Sequence, residues 1–282
     1  MAHRPATNSI HKLHFKTYLK FLNFYHLPLD FSLQNILWFL QFLKDNSLAP
    51  KVIQGYVSSL RAMCSLYALE HSALQHYRVH LMLRSIRINT NFQPRQKGVF
   101  DLNLMEKISS ACNMTGDPKL FRAAFLMAFF GFLRMSNIAP HSAVAYTPER
   151  HILRQDIVFK QPGTHVVIKW AKTLQDKSKI HIIQLPSLQN RQLCPTLAIY
   201  NLLQDRILPP DSPLFAAREH PHKQVIDTHF RDALKMILTH LGESQPGLGF
   251  HAFRRSGATF AFDHKVPLQA IMNHGMWKSS AV

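Results

Sequence analysis

The 282-residue sequence is short of acidic residues, cysteines and long apolar runs. Only 16 Asp and Glu stand against 33 Lys and Arg, which gives a formal net charge of +17. The three cysteines are widely spaced and odd in number, which excludes a disulfide framework. The longest apolar run, residues 123–133, is too short to cross a bilayer. The N-terminus has no apolar core of the signal-peptide type, so we expect an intracellular protein, nuclear if eukaryotic.

Sequence motifs of nucleotide and metal enzymes are also missing. No G-x-x-x-x-G-K phosphate loop occurs, and the isolated G-x-G at 247–249 follows no strand pattern. The 18 histidines are scattered, no cysteine pair has zinc spacing, and the carboxylates form no metal-binding set. We therefore expect no metal and no nucleotide or other cofactor, which disfavours a metal-dependent nuclease or transposase.

What the sequence does have is basic charge and apolar residues. An excess of positive charge on this scale predicts a polyanionic partner, with nucleic acid as the first candidate. No long segment combines an apolar face with a Lys-rich face, so we expect no membrane partner. The apolar fraction of 46% is sufficient for a folded core.

The spacing of apolar residues predicts two domains. Helical spacing over residues 8–88 predicts four helices, with Ser32 before the second and Pro50 in the first turn of the third. Polar residues, a Pro and a Gly then interrupt the pattern. We therefore expect a helical domain at 1–90, a linker at 91–100 and a second domain at 101–282.

The second domain is predicted to be helical with one small sheet. Asp101 can cap a helix, and the apolar run at 123–133 predicts a buried one. Short β-branched segments between residues 152 and 186 predict the sheet. Further helices are predicted in CPTLAIYNLLQDRI, DTHFRDALKMILTHL, GFHAFRRSGATFAF and PLQAIMNHG. The expected fold class is mainly α with a small antiparallel β-sheet.

A basic stripe marks the predicted helix in GFHAFRRSGATFAF, residues 249–262. A helix advances about 100° per residue, so His251, Arg254 and Arg255 share one arc while Phe253 and Phe260 fall opposite. A solvated face usually mixes charges of both signs, so an unrelieved basic stripe predicts an anion such as phosphate. The alternative is an ordinary surface helix whose His and Arg side chains face water.

Three other positions complete an ordered set. Arg134 follows the buried run in FFGFLRMSNI, Lys172 stands at the end of a strand pattern in VVIKWAKTLQ, and Trp277 closes IMNHGMWKSS. The order Arg, strand Lys, His-x-x-Arg and then His or Trp resembles the tyrosine recombinase family, also called phage-type integrases. The segments GFLRMSNI and HAFRRSGATFAF are most similar to recombinases of eukaryotic mobile elements of the DIRS, Ngaro and Crypton types.

The resemblance covers nearly the whole chain. It implies a core-binding domain at 1–90 and a catalytic domain at 101–282 that is incomplete at its C-terminus. In this family a tyrosine hydroxyl attacks a DNA phosphodiester, giving a 3′-phosphotyrosyl link and a free 5′-hydroxyl without metal or nucleotide cofactor. The implied partner is double-stranded DNA, with self-association on DNA as a dimer or tetramer. Since no metal takes part, the enzyme itself must supply positive charge to the transition state.

The resemblance also assigns a role to each residue of the set. Arg134 and Arg254 would bind the non-bridging phosphate oxygens, which suit the fixed fork of a guanidinium. Lys172 would be the general acid for the leaving 5′-oxygen. His251 would bind the phosphate or accept the nucleophile's proton, and Trp277 would pack and hydrogen-bond at the same phosphate. The predicted DNA-binding residues outside this set are Arg78, Arg84, Arg87, Arg95, Lys97 and Arg255.

Several of these positions keep a second interpretation. Arg134 could merely cap the C-terminal end of its helix, where cations are favoured. Lys169 competes with Lys172 for the position of the strand lysine. His274 competes with Trp277, which could also be a core aromatic.

Two positions depart from the family's pattern. Many members carry an acidic residue three positions after the first Arg, where this chain has Asn137, whose amide can still orient a neighbour. The nucleophilic tyrosine would fall just past Val282, and none of the seven tyrosines follows the His-x-x-Arg segment. We therefore expect a recombinase-type chain truncated before its nucleophile. The alternatives are a catalytically dead, domesticated DNA-binding module and a type IB topoisomerase-like enzyme.

Overall fold

The computed structural model describes residues 5–89, 97–170, 180–243 and 245–277. The chain divides into two units, Met1–Pro94 and Arg95–Val282, each with its own apolar core. Residues 91–96 of the predicted linker, together with residue 90, lie outside the described residues.

The N-terminal unit is helical throughout its described residues. Its elements are α1 (Pro5–Phe24), α2 (Leu33–Asp45), α3 (Pro50–Leu66), a 3₁₀ turn (Ser72–Gln75) and α4 (Tyr77–Asn89). Ser32 caps α2 by accepting a hydrogen bond from the Asn35 amide at 3.3 Å, and Pro50 opens α3. Side chains of all four helices meet in one core around Tyr18 and Phe39. The four predicted helices are therefore confirmed.

The C-terminal unit surrounds one antiparallel sheet with helices. The helices are α5 (Leu102–Ala111), α6 (Pro118–Phe130), α7 (Met135–Ile138), α8 (Pro195–Asp205), α9 (Asp227–His240), α10 (Phe250–Asp263) and α11 (Leu268–Gly275). The strands are β1 (Ile157–Lys160), β2 (Gly163–Ile168) and β3 (His181–Pro186), in the order β1-β2-β3. Val166 is the central residue of its row, opposite Ile157 on one side and Ile183 on the other. The mainly α fold with a small antiparallel sheet is confirmed.

Helix α6 runs through the core of this unit. Every residue from Ala123 to Phe129 is buried, and α8 and α10 both pack against the helix. The helix ends at Phe130, three residues before the end of the predicted run, because Phe132 adopts a left-handed conformation with φ of 47°. The chain turns there and reaches Arg134 immediately before α7.

Helix α10 approaches α6 closely because Gly257 has no side chain. A Cβ at this position would lie 2.0 Å from the carbonyl oxygen of Phe129, well inside contact distance. One residue earlier, the Ser256 hydroxyl accepts a hydrogen bond of 2.9 Å from the Phe100 amide. Arg254 donates to the carbonyl of Phe132. The basic stripe of α10 is thus held beside the connection between α6 and α7.

Candidate functional site

A cleft of about 430 Å³ opens between α7, α9 and the N-terminal end of α10. Its basic and imidazole side chains are Arg134, Arg150, Arg231, His141, His151 and His251. Among the described residues that line it, Asp227 is the one carboxylate. Positive charge concentrated in a concave surface attracts anions, so the cleft is suited to a negatively charged ligand.

Arg134 has hydrogen-bonding capacity to spare. Its side chain is half-buried, and Nη1 is buried with no hydrogen-bond partner among the described residues. Burial lowers the pKa of this guanidinium. Because α6 ends at Phe130, Arg134 does not cap that helix. A buried donor without an acceptor is costly, which makes this atom a candidate ligand for an anion.

Asn137 fixes the backbone of Arg134. Its Oδ1 accepts a hydrogen bond of 3.1 Å from the Arg134 amide, and its Nδ2 donates to the carbonyl of Trp170 at 3.0 Å. Asn137 is 2% exposed. Asn137 therefore joins the start of α7 to the segment after β2 through the donor and the acceptor of its amide.

His251 stands at the first turn of α10 and lines the cleft together with Arg134. Burial lowers the pKa of His251, and the charges of Arg254 and Arg134 lower it further. The imidazole is therefore neutral at neutral pH. A neutral ring can donate a hydrogen bond from one nitrogen and accept a proton at the other.

Arg254 lies beneath the cleft and does not line it. The residue is 2% exposed, and its Nη1 and Nη2 donate to the carbonyls of Phe132 and Gly275. Its guanidinium carbon is 3.9 Å from the ring centroid of Trp277. Burial and then the charge of Arg134 lower the pKa of Arg254 to about 9, which leaves it protonated at neutral pH. The predicted basic stripe thus has His251 at the cleft and Arg254 beneath it.

Comparison with solved structures identifies the fold. The structure is similar to that of a lambda integrase dimer bound to a COC′ core site, with a TM-score of 0.65 and 16% identity over 99% of this chain and 71% of that chain. It is also similar to XerH site-specific recombinase bound to palindromic difH substrate, with a TM-score of 0.62 and 14% identity over 98% of this chain and 73% of that chain. This chain has the tyrosine recombinase fold.

A third structure with the tyrosine recombinase fold, the Tn1549 transposon integrase in complex with circular intermediate DNA, has a TM-score of 0.59 and 14% identity over 95% of this chain and 86% of that chain. No protein-family model and no curated protein sequence matches the chain. At these identities the likeness establishes the fold, and the residues of the site have to be judged by their own geometry.

The two candidate lysines of this tyrosine recombinase fold have different surroundings. Lys169 follows β2, and its Nζ is 2.7 Å from Oδ2 of Asp156, whose side chain is 9% exposed. Lys169 therefore has a structural role, because its ammonium group is paired with a carboxylate of the same unit. Strand β2 ends at Ile168, and Lys172 lies outside the described residues, so its assignment as general acid stays a prediction. It follows by two positions Trp170, which lines the cleft.

The alternative histidine has a structural contact. His274 Nε2 donates to the carbonyl of Phe130 at 2.9 Å, and its ring meets the edge of Phe132. Burial lowers the pKa of His274. This imidazole therefore supports the turn after α6, while Trp277 contacts Arg254 directly.

Several cleft residues were missed from the sequence, among them Arg150, Arg231 and Asp227. The guanidinium carbon of Arg150 lies 5.6 Å from the centroid of the Trp170 ring, a cation–π contact at the cleft wall. Arg231 pairs with Asp227 on α9, with 3.0 Å between Nη2 and Oδ2. The i, i+4 spacing of Asp227 and Arg231 predicts the pair, but nothing in the sequence predicts that both line the same cleft as Arg134.

The predicted DNA-binding residues have varied positions. In the N-terminal unit Arg78, Arg84 and Arg87 are exposed on α4. Arg84 and Arg87 line a cleft of about 590 Å³ together with Lys51 and His80. In the C-terminal unit Lys97 is exposed, whereas Arg255 donates to the carbonyl of Gly98 and so fastens the first residues of that unit to α10. Arg95 lies outside the described residues.

The described part of the chain has neither a metal-binding cluster nor a membrane-spanning helix. No group of three His, Cys, Asp or Glu side chains is arranged to hold a metal ion there. None of the helices in these ranges has the length and apolar character needed to cross a membrane. All three cysteines are buried as free thiols.

Proposed function

We propose that this chain binds duplex DNA, with a backbone phosphate held in the cleft by Arg134 and His251. The observation that carries the proposal is the buried Nη1 of Arg134, unpartnered among the described residues, in a cleft whose described lining has three arginines and a single carboxylate. A phosphate there would supply both the missing acceptor and the missing negative charge. The tyrosine recombinase fold agrees with this ligand, because the similar structures are DNA complexes.

The reaction that fits the site is phosphodiester transfer through a 3′-phosphotyrosine, as in site-specific recombination and integration. Arg134 would stabilise the charge that grows on the non-bridging oxygens, in a partly buried setting where such charges interact strongly. His251, neutral at neutral pH, could accept a proton from the attacking hydroxyl. Lys172 would protonate the leaving 5′-oxygen. In this proposal Arg254 and Trp277 complete the phosphate site.

The attacking tyrosine is the component for which the described residues offer no candidate. None of the residues that line the cleft is a tyrosine. The ring of Tyr146 is 5.3 Å from that of His151, but burial raises the pKa of Tyr146, which is opposite to the activation that a nucleophile needs. Cleavage would therefore require a tyrosine from outside the described residues. The same observation favours the second candidate function, a DNA-binding module without cleavage activity.

The N-terminal unit is proposed to contribute to DNA binding through α4. Its exposed arginines and the neighbouring Lys51 form a second basic surface, which would contact the DNA backbone on its own account. Because the lambda integrase structure is a dimer on its DNA site, we also propose that this chain self-associates on DNA.

Binding is tested with a fluorescent DNA duplex of about 30 base pairs and anisotropy at increasing salt. The logarithm of the affinity should fall steeply with the logarithm of salt concentration. Arg134→Gln should make the slope shallower by about 0.9, and Arg134→Lys should keep the slope, because only the first removes a charge at the phosphate. Arg191→Gln, an exposed arginine outside the cleft, is the matched control. A slope near zero for the unaltered protein contradicts the proposal.

Cleavage is tested separately on a nicked duplex that traps the covalent intermediate. The 282-residue protein should bind this substrate and form no SDS-resistant adduct, because no tyrosine lines the cleft. An adduct that disappears in Tyr146→Phe would show that this residue attacks the phosphate and that the proposed lack of a nucleophile is wrong.

A further inference from the structure

The ring of Trp277 packs against Arg254, Phe132 and Gly275, and we call the position that these three residues form its seat. One is the guanidinium of Arg254, 3.9 Å from the ring centroid, and another is the ring of Phe132, whose centroid is 6.0 Å away. The third is Gly275, where a Cβ would lie 1.6 Å from the Trp277 ring. Between them Met276 has a left-handed φ of 55°, which folds the chain back over the end of α11. The ring can lie here only because position 275 has no side chain.

The seat keeps Arg254 out of the cleft. Both Nη atoms of Arg254 are engaged by the carbonyls of Phe132 and Gly275, and the residue is 2% exposed. Arg134 and His251 line the cleft, but Arg254 does not. In this state the fork that could bind two phosphate oxygens is bound to two main-chain oxygens instead.

Among the described residues, no carboxylate pairs with Arg254. Its pKa is lowered by burial and by Arg134, and no carboxylate is among the described groups that shift it. A buried cation that is satisfied only by carbonyl dipoles is poorly compensated, since charges taken from water need an opposite charge as well as hydrogen bonds. A phosphate bound at Arg134 would supply that charge, so its arrival favours a different position of the guanidinium.

We infer that Trp277, seated by Gly275 and Phe132, is a positioning residue that holds Arg254 withdrawn in the DNA-free protein, and that phosphate binding draws Arg254 into the cleft as Trp277 leaves its seat. The second half of this inference rests on the proposed DNA-binding function. The first half concerns the free protein alone. The two halves can therefore be tested by different measurements.

The seat is tested without DNA by arginine modification with phenylglyoxal, read out by mass spectrometry of the peptides. Arg231, whose side chain is 57% exposed, is the internal reference. In the unaltered protein Arg254 should react at least about tenfold more slowly than Arg231, because it reacts only from a rare open state. Gly275→Ala should raise the Arg254 rate about tenfold by expelling the ring. Gly116→Ala, whose Cβ would meet nothing within 4 Å, should leave the rate unchanged.

In Gly275→Ala the Trp277 ring could find a new position over Arg254, so Trp277→Ala, which removes the ring, is the second test and should also raise the Arg254 rate. Trp277→Phe should restore part of the protection because it keeps a flat ring over the guanidinium. A general loss of structure would also raise the rate of the half-buried Arg122, which is held by the Ser109 carbonyl, whereas the seat predicts a rise at Arg254 and none at Arg122. Equal rates for Arg254 and Arg231 in the unaltered protein would overturn the inference, as would an unchanged Arg254 rate in both Gly275→Ala and Trp277→Ala.

The response to DNA is tested by ¹⁹F NMR of protein labelled with 5-fluorotryptophan. The chain has three tryptophans, so Trp→Phe variants assign each resonance. A DNA duplex should shift the Trp277 resonance in the direction in which Gly275→Ala shifts it without DNA. Trp38, on α2 of the N-terminal unit, is the reference. If anisotropy shows duplex binding but the Trp277 resonance does not shift, the proposed movement of Trp277 and Arg254 is wrong and the proposed DNA binding stands. If the unaltered protein did not bind the duplex, both the proposed DNA binding and the movement of Trp277 would be wrong. The modification rates would still test whether Trp277 holds Arg254 out of the cleft in the free protein.

Discussion

Replacing Asp227 with Asn should strengthen DNA binding. Asp227 is the one carboxylate among the described residues of the cleft, and its side chain is 16% exposed. Its Oδ2 is 3.0 Å from Nη2 of Arg231, whose side chain is 57% exposed. In the free protein this pair occupies Arg231 and places a negative charge beside the proposed phosphate. The Asn side chain keeps the shape and removes the charge.

The expected change in DNA affinity follows from the release of one cation, Arg231, from its ion pair with Asp227. One additional neutralised phosphate steepens the salt dependence by about 0.9 in the log-log slope, so the variant loses about threefold more affinity than the parent between about 50 and 200 mM salt. At about 0.1 M salt the affinity should rise about fivefold, which corresponds to about 1 kcal/mol for a partly exposed ion pair. Loss of an i, i+4 pair on a helix should lower the free energy of unfolding by only about 0.3–0.5 kcal/mol.

The assay is anisotropy of a labelled duplex at several salt concentrations, with urea unfolding as the check on stability. In the Asp227→Asn background, Arg231→Gln should remove the gain in affinity and return the slope to that of the parent. Arg218→Gln is its matched control, because Arg218 is 59% exposed, is 3.2 Å from an Asp205 carboxylate oxygen and is not a cleft residue. Unchanged or weaker binding by Asp227→Asn with unchanged unfolding would refute the reasoning, since the cleft would then not be where DNA phosphates bind.

Two further predictions concern stability. Gly257→Ala should lower the free energy of unfolding, measured in urea titrations, by about 1–3 kcal/mol or more. Its Cβ would lie 2.0 Å from the Phe129 main-chain oxygen, and that atom cannot move without shifting α6. Gly116→Ala, whose Cβ would meet nothing within 4 Å, should lower the free energy of unfolding far less. The second is a pH dependence. Burial lowers the pKa of His274, with further lowering by His181 and Arg254, so the unfolded chain binds the proton first. Stability should therefore be complete above about pH 6.5 and fall as the pH drops below it, and His274→Gln should flatten that fall in urea titrations between about pH 7.5 and 5.

The sequence by itself predicted most of the local structure. Ser32 and Asp101 were recognised as helix caps, and both accept the expected amide hydrogen bonds. The helices followed from the spacing of apolar residues, because a helix buries one face at a fixed period, and the small sheet followed from short β-branched segments. The end of α6 did not follow, because the left-handed turn at Phe132 lies inside an unbroken apolar run.

The basic residues of the site could be chosen from the sequence only as an ordered set. Charge and order indicated Arg134, His251 and Arg254. The pairing of Lys169 with Asp156 was not predicted, because it joins the end of β2 to a 3₁₀ turn before β1 across the fold. The assignment of Lys172 still rests on its place in the sequence, because Lys172 lies outside the described residues.

What the tertiary structure alone decided is which of these charges the cleft presents. Helical periodicity puts His251 and Arg254 on one stripe, yet α10 packs so closely on α6 at Gly257 that Arg254 is buried under Trp277 while His251 stays at the cleft. Arg150 and Arg231 join them from a loop and from α9. Periodicity describes one element at a time, whereas burial of a side chain depends on what the rest of the chain packs against it.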